Sequence, residues 1–180
     1  MGKNNKSIIL GLSGSIAIYK AIDLIKSFSQ KNILADVIMT KEAREFVTPL
    51  LFERFSKRRV YCDLFEQTGS FEVEHIALAQ RSKVVLVAPA TANIIGKVAS
   101  GIYDDLLTCV IAATKAKIFF APAMNENIYK NPVVQANIKK LKGYGMEFIG
   151  PRRGMLACGE EGWGCLEDVD KIVDVVRRFI

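Results

Sequence analysis

Two residues of the 180-residue sequence stand out for the chemistry they could do, one histidine and one cysteine. His75 is the only histidine, and imidazole is well suited to acid and base catalysis near neutral pH. Cys158 lies in segment 154–164, where four glycines in eleven residues predict a flap with exposed amides and a reactive thiol. A surface or interface histidine and a loop without a chemical role are the alternatives, and both stay open on the residues alone.

The other three cysteines, Cys62, Cys109 and Cys165, have no comparable sequence context. Cys109 falls in an apolar helical pattern and is expected in the core. No C-x-x-C pair occurs and one histidine cannot build a histidine-rich zinc site, so we expect no metal. A chain of this size forms a sufficient core without disulfides, so we expect free thiols.

The net charge of +6 favours an anionic partner, either nucleic acid or a phosphorylated small molecule. The basic residues are scattered and no nucleic-acid-binding motif is visible, so we favour the small molecule and expect no nucleic acid. No apolar run reaches the length of a membrane span, and the first residues do not read as a signal peptide. We therefore expect a cytoplasmic protein without a membrane partner.

Short apolar runs alternate with helical patterns along the chain. Strands are predicted at 7–11, 34–40, 84–88, 117–121 and 146–149, and helices at 16–29, 41–57 (in two pieces), 75–81, 92–99, 104–114 and 132–142, with a last helix from about residue 169. Apolar strands alternating with helices indicate a parallel sheet covered on both faces. We predict an α/β fold for residues 1–180, a single-domain doubly wound parallel sheet in a flavodoxin/Rossmann-like three-layer sandwich.

Ligands bind such sheets beyond the carboxyl ends of the strands. Hydroxyls of Ser13, Ser15 and Thr40 follow the first two strands, where they and helix-start amides fit one terminal phosphate monoester, such as that of FMN. No Walker loop or G-x-G-x-x-G is present and no acidic residue ends strand two, which argues against nucleotide hydrolysis and NAD. The alternative is a tight strand–helix turn, in which Gly14 and Ser15 act only as turn and cap.

Three sequence blocks together resemble the homo-oligomeric, flavin-containing cysteine decarboxylases, over nearly the whole chain. They are Pro-Ala-Thr-Ala-Asn at 89–93, Pro-Ala-Met-Asn-Glu-Asn-Ile-Tyr at 122–129, similar to P-x-M-N-x-x-M-W, and the glycine-rich segment at 154–164. In the second block, Ile128 and Tyr129 stand where the family motif has methionine and tryptophan. Cys165 stands where the family would have an arginine or another polar residue, which puts any contact from that side chain in doubt.

The resemblance implies a set of site residues. FMN would be bound by Gly14, Ser15, Ile16, Thr40, Thr91, Asn93 and Ala123. The implied catalytic residues are His75 as base, Asn125 as the ligand of the substrate carboxylate, and Cys158 as proton donor. The implied substrate-binding residues are Asn125, Met155, Leu156 and Ala157, the last three in a flexible substrate-recognition flap at about 150–165.

The resemblance also implies an activity. The family uses FMN to oxidise a cysteine end to a thioaldehyde, from which CO₂ leaves, and then reduces the resulting enethiol. For this chain it implies conversion of (R)-4′-phospho-N-pantothenoylcysteine to 4′-phosphopantetheine in coenzyme A biosynthesis. Family members form trimers, some assembled into dodecamers, with active sites between subunits, so His75 could serve a neighbouring flavin. Without a second domain, the ligase that attaches cysteine is expected to be a separate enzyme.

Four other functions are alternatives to this activity. A peptidyl-cysteine decarboxylase that stops at the enethiol needs no reducing cysteine, so Cys158 argues against it. A flavin prenyltransferase should lack the blocks at 122–129 and 154–164. A non-catalytic, phosphatase-regulating relative tends to carry an acidic extension and to lose one of the residues His75, Asn125 and Cys158. FMN electron carriers are usually acidic and need no histidine–cysteine pair.

Overall fold

The computed structural model describes residues 6–65, 74–157 and 159–180. Within these ranges six strands form one parallel sheet: β1 (Ser7–Leu12), β2 (Leu34–Met39), β3 (Val60–Tyr61), β4 (Val84–Ala90), β5 (Lys117–Pro122) and β6 (Glu147–Phe148). Their spatial order is β3-β2-β1-β4-β5-β6. The order reverses between β1 and β4, and this switch point opens a crevice at the carboxyl edge of the sheet. The predicted doubly wound parallel sheet is confirmed.

Apolar runs explain the central strands. All seven residues of β4 are buried, as are five of the six in β1, β2 and β5. A strand covered on both faces carries an uninterrupted apolar run, which is why these four were recognisable in the sequence. The two-residue edge strand β3 was missed because so short a pairing leaves no periodic signal.

Two helical layers cover the sheet. The helices are α1 (Ala21–Gln30), α2 (Lys41–Arg44), α3 (Pro49–Ser56), α4 (Glu74–Arg81), α5 (Ala92–Ser100), α6 (Leu106–Ala113), α7 (Glu126–Lys130), α8 (Pro132–Gly143) and α9 (Val169–Val176). Phe28, Phe52 and Val173 bring α1, α3 and α9 into one core. Leu78, from α4, joins the separate core that α5, α6 and α8 form on the other face. A 3₁₀ turn, Ile16–Lys20, precedes α1 where the sequence predicted regular helix.

The glycine-rich segment contains a two-stranded antiparallel hairpin outside the main sheet. Its strands are β7 (Arg152–Met155) and β8 (Glu161–Cys165), with Met155 opposite Glu161. No strand is predicted here from the sequence, because glycine lowers β-propensity and masks the alternation of side chains.

The longest helix in the described ranges is α8, with 12 residues. Neither it nor any other helix in those ranges is long and apolar enough to cross a bilayer.

Candidate functional site

Ser13 connects the ends of β1 and β4 at the switch point. Its hydroxyl donates to the Pro89 carbonyl at 2.8 Å and accepts from the Thr91 backbone N–H at 3.0 Å. The side chain is 2% exposed. Ser13 is therefore a structural crosslink between the two loops, and its hydroxyl does not serve the phosphate contact that the sequence suggested.

Three hydroxyls cap helical segments that begin at this edge. Ser15 accepts from the Ala17 N–H at 3.4 Å, and its hydroxyl donates to the Ala123 carbonyl at 3.3 Å. Thr40 and Thr91 cap α2 and α5 in the same way. Helix starts present unpaired N–H groups and the positive end of the helix dipole, so this edge favours an anionic group.

Gly14 lies where the loops after β1 and β2 touch. A Cβ atom at this position would lie 2.5 Å from Cβ of Glu42 and 3.1 Å from its carbonyl carbon. Because Glu42 belongs to α2, a side chain at residue 14 would push the two loops apart. This packing accounts for glycine here without reference to a ligand.

A cavity of about 650 Å³ lies beside these caps. Its walls come from the 3₁₀ turn, from the segment after β5 and from the hairpin. Of the residues predicted from the sequence it brings together Ser15, Ile16, Ala123, Asn125, Met155, Leu156 and Ala157. Residues from three distant parts of the chain thus meet in one cavity of a size typical for small-molecule sites.

Other predicted residues do not line this cavity. Gly14, Thr40 and Thr91 lie in the adjacent loops of the same sheet edge, and Asn93 lies in the first turn of α5. Cys158 lies outside the described residues.

His75 stands apart from the cavity as well. It is the second residue of α4 and is half-buried. Leu78 and Ala79 of the same helix belong to the core of α5, α6 and α8. The hairpin and the 3₁₀ turn therefore meet in the cavity without His75 from the same chain.

Asn125 begins α7, and its side chain has two kinds of hydrogen-bonding group. Its Oδ1 accepts from the Asn127 N–H at 2.8 Å and so caps the helix. Asn125 lines the cavity, and with its oxygen used by the cap it has the N–H donors of its Nδ2 group left to offer. Such donors suit a carboxylate.

The hairpin is held against the segment after β5 by two hydrogen bonds. The Met124 N–H donates to the Gly164 carbonyl at 3.0 Å, and the Trp163 N–H donates to Glu126 Oε1 at 3.1 Å. Lys130 Nζ lies 2.9 Å from the same oxygen. Hydrogen bonds from Lys130 and from the Trp163 backbone lower the pKa of the Glu126 carboxyl below its ordinary value. Asn125 thus sits between two anchors of the hairpin.

The structure adds cavity residues that sequence reasoning missed. They are Ala17, Tyr19, Lys20, Met124, Arg152, Gly164, Cys165 and Leu166. Arg152 and Cys165 lie opposite each other on the two strands of the hairpin.

Cys109 is half-buried, not in the core as expected. Its thiol donates to the Tyr103 carbonyl at 3.2 Å. Burial, with the nearby carboxylates of Asp105 and Asp104, raises the pKa of this thiol above its ordinary value. A protonated thiol is a poor nucleophile, so nothing recommends Cys109 for chemistry.

The fold and the cavity define a class of protein: a doubly wound α/β protein with a cavity of small-molecule size at the carboxyl edge of its sheet, bordered by a hairpin. Within that class, the chain belongs to the Flavoprotein family, whose model matches residues 2–180.

Two curated relatives differ in length. The chain is 44% identical to the coenzyme A biosynthesis bifunctional protein CoaBC of Borreliella burgdorferi, over 96% of this chain and 44% of that protein. It is 40% identical to a probable phosphopantothenoylcysteine decarboxylase of Streptococcus mutans, over 96% of this chain and 98% of that one. The chain thus spans less than half of the bifunctional relative and nearly all of the shorter one.

Solved structures resemble the chain over its whole length. One is a cysteine-to-serine variant of a PPC decarboxylase complexed with pantothenoylaminoethenethiol, with a TM-score of 0.85, 30% identity and 98% of both chains covered. Another is the FMN binding protein AtHal3, with a TM-score of 0.83 and 30% identity over 98% of this chain and 97% of that one.

Proposed function

We propose that this chain is an FMN-dependent decarboxylase that converts (R)-4′-phospho-N-pantothenoylcysteine to 4′-phosphopantetheine in coenzyme A biosynthesis. The observation that carries the proposal is the single cavity formed by the 3₁₀ turn, by the Ala123–Asn125 segment and by the hairpin. These are the three places where the family resemblance puts cofactor, substrate carboxylate and recognition flap. The shorter decarboxylase relative and the PPC decarboxylase complex support the same activity.

The residues at the sheet edge fit FMN. The caps Ser15, Thr40 and Thr91 lie at three helix starts, where unpaired N–H groups suit the phosphate of the cofactor. Ile16, Ala17 and Ala123 give the adjoining cavity the apolar surface that a flat ring requires. Gly14, in the loop after β1, and Asn93, in the first turn of α5, complete the proposed set. Bound FMN would supply a reversible two-electron acceptor, which no amino-acid side chain provides.

Asn125 is proposed to hold the reacting end of the substrate. Donation from its Nδ2 group to the substrate carboxylate would orient the bond between the carboxyl carbon and Cα. Oxidation of the cysteine end to a thioaldehyde makes that carboxylate β to an electron-poor carbon, so CO₂ can leave and an enethiolate forms. Met155, Leu156 and Ala157 line the same cavity and would shield these steps from water.

His75 and Cys158 are proposed to move the protons. His75 would act as the base that takes a proton from the cysteine end during its oxidation. Cys158 would protonate carbon when the enethiol is reduced to the saturated thiol. The two oxidation-state changes cancel, so the net reaction is the loss of CO₂.

Because His75 does not line the cavity of its own chain, we assign it to the cavity of a neighbouring subunit in a homotrimer. The trimer would exist either by itself or as a part of a dodecamer. Two features support this assignment. His75 is on α4, in the helical layer of α5, α6 and α8, and the next residue, Ile76, leaves an apolar side chain 41% exposed. An interface at the start of α4 would cover Ile76.

The test is turnover of the synthetic substrate by the purified, FMN-supplemented protein. We expect a yellow protein that releases CO₂ and forms a saturated thiol. Cys158→Ser should release CO₂ but accumulate the unsaturated thiol, while the control Cys109→Ser should behave like the wild type. Failure of the protein to bind FMN, even with the cofactor in excess, would contradict the proposal. Accumulation of the enethiol by the wild type would identify the alternative decarboxylase, which stops before reduction.

A further inference from the structure

The side chains on the cavity wall carry an unbalanced charge. Among the described residues that line it, two are cationic, Lys20 from the 3₁₀ turn and Arg152 from β7, and none is acidic. The other lining residues are apolar or neutral, and the Asp168 carboxylate, whose Oδ1 lies 3.0 Å from Arg152 Nε, offsets one of the two positive charges. Such a wall favours a ligand with an anionic group beyond the carboxylate assigned to Asn125.

Arg152 and its neighbour Arg153 on β7 differ in their contacts, and the pairing of β7 with β8 is irregular between them. Arg152 is half-buried and lines the cavity, whereas Arg153 is exposed and its Nε lies 3.8 Å from Glu161. Two adjacent arginines of equal charge therefore have different environments.

Glycine at position 154 leaves room for the Arg152 guanidinium on the hairpin. A Cβ atom on Gly154 would come within 2.8 Å of Arg152 Nη1. The Nε atom lies 3.0 Å from Asp168 Oδ1, though without the alignment of a hydrogen bond, and Nη1 donates to the Arg153 carbonyl at 3.3 Å. These contacts to described residues involve Nε and Nη1, so Nη2 is the donor that remains for a ligand.

We propose that Arg152, together with Lys20, binds the phosphate monoester of the substrate and makes the enzyme selective for the phosphorylated compound. This inference rests on the proposed function. A guanidinium presents several N–H groups to phosphate oxygens, and an ammonium adds a second positive charge. FMN also carries a phosphate monoester. Of its three proposed caps only Ser15 lines this cavity, while Thr40 and Thr91 do not, and Arg152 shares the hairpin with Met155 of the proposed substrate site.

The test measures binding of 4′-phosphopantetheine and of pantetheine to the FMN-loaded protein by calorimetry. We expect the wild type to bind the phosphorylated compound about tenfold or more tightly, the effect of a charge-assisted hydrogen bond. Arg152→Gln and Lys20→Gln should each remove most of this preference without weakening pantetheine binding. Arg153→Gln is the matched control, because it removes the same charge one residue away, and should keep the preference.

A second arm separates the two sources of phosphate. The affinities of the apoprotein for FMN and for riboflavin should keep the same ratio in Arg152→Gln as in the wild type. A fall in that ratio would assign Arg152 to the cofactor and overturn the inference. An equal loss of preference in Arg153→Gln would also overturn it, because the effect would then be general surface charge.

Turnover of the synthetic substrate distinguishes failure of this inference from failure of the proposed function. A wild type that decarboxylates the substrate but binds both thiols equally contradicts only the phosphate site. A protein that keeps the Arg152-dependent preference without releasing CO₂ supports the phosphate site and contradicts the activity. A protein that binds neither thiol contradicts both.

Discussion

The backbone N–H of Trp163 donates to Oε1 of Glu126 at 3.1 Å, although the two residues are 37 positions apart in sequence. On the neighbouring residue, a Cβ atom at Gly162 would come within 2.7 Å of the other carboxylate oxygen of Glu126. The hairpin strand β8 therefore accommodates this carboxylate with one glycine and one N–H group. Since Asn125 precedes Glu126, the contact fixes the hairpin next to the proposed ligand of the substrate carboxylate.

Replacing Glu126 should loosen the hairpin only where the new side chain cannot accept the hydrogen bond from the Trp163 N–H. Glu126→Ala removes the acceptor, so amide hydrogen exchange at Trp163 should become several-fold faster. Glu126→Gln keeps an oxygen that accepts the same bond and should retain most of the protection. Trp163 is the only tryptophan of the chain, so its fluorescence reports the same change. Equal exchange rates in the alanine variant and the wild type would contradict the role of Glu126 as an anchor.

The same contact should depend on pH in a defined direction. The pKa of Glu126 is lowered in the folded protein by the hydrogen bonds from Lys130 and from the Trp163 backbone. The charged carboxylate therefore stabilises the docked hairpin above the unfolded-state pKa, and this contribution is lost as the pH falls through the lowered pKa. Trp163 fluorescence should change with a midpoint below the ordinary glutamate value of about 4.3.

Two variants check the origin of that acid transition. Glu126→Gln should abolish it because the amide does not titrate. Glu160→Gln, which removes an exposed carboxylate of the hairpin loop, should leave it in place. Persistence of the transition in Glu126→Gln would assign it to another carboxyl group.

Gly164 should not tolerate a side chain. Its φ of +136° is rarely adopted by other residues, and a Cβ atom would lie 2.0 Å from the Met124 carbonyl oxygen. We expect Gly164→Ala to destabilise the protein by about 2–4 kcal/mol and to weaken substrate binding, because the hairpin must move away from β5. Chemical denaturation measures the first effect and calorimetry the second.

Gly143→Ala is the control for that substitution, because nothing lies within 4 Å of a Cβ atom at the end of α8. It should change stability by less than about 1 kcal/mol. If Gly164→Ala were equally mild, the close approach of β8 to the Met124 carbonyl would be disproved.

Ser13 should contribute to stability through its buried hydroxyl. Ser13→Ala leaves the Pro89 carbonyl and the Thr91 N–H without this partner, at a cost of about 1–3 kcal/mol. FMN affinity should fall too, because Thr91 loses a contact that positions it. Ser29→Ala, on the exposed surface of α1, should change stability by less than about 0.5 kcal/mol. Unchanged denaturation of Ser13→Ala would show that the hydroxyl is not a crosslink.

Mixing two inactive variants should restore activity if His75 serves a neighbouring subunit. His75→Asn removes the proposed base. Asn125→Asp keeps the oxygen that caps α7 but places a negative charge where the substrate carboxylate binds. Each variant alone should be inactive, and oligomers reassembled from both should regain CO₂ release, because some sites combine an intact His75 with an intact Asn125. Mixed oligomers without activity would place both residues in one subunit's site.

The strands of the sheet and their doubly wound arrangement were predictable from the sequence, because the pattern that specifies a buried strand is local. The runs that form β1, β2, β4 and β5 are apolar almost throughout, so the strand–helix alternation was sufficient to predict a doubly wound sheet. Thr40 and Thr91 were predicted as ligands of FMN and not as caps, although each cap acts within three residues of its own position.

Which of these residues come into contact depends on how distant parts of the chain pack together. The hairpin was hidden by its glycines, and with it the different environments of Arg152, which lines the cavity, and Arg153, which does not. Ser13 looked like a ligand for phosphate until its two partners, 76 and 78 residues away, were seen to use its hydroxyl. The contact of Glu126 with Trp163 depends on the packing of whole elements. So does the absence of His75 from the lining of the cavity in its own chain. Such pairings join residues far apart in the chain and leave no periodic trace in it.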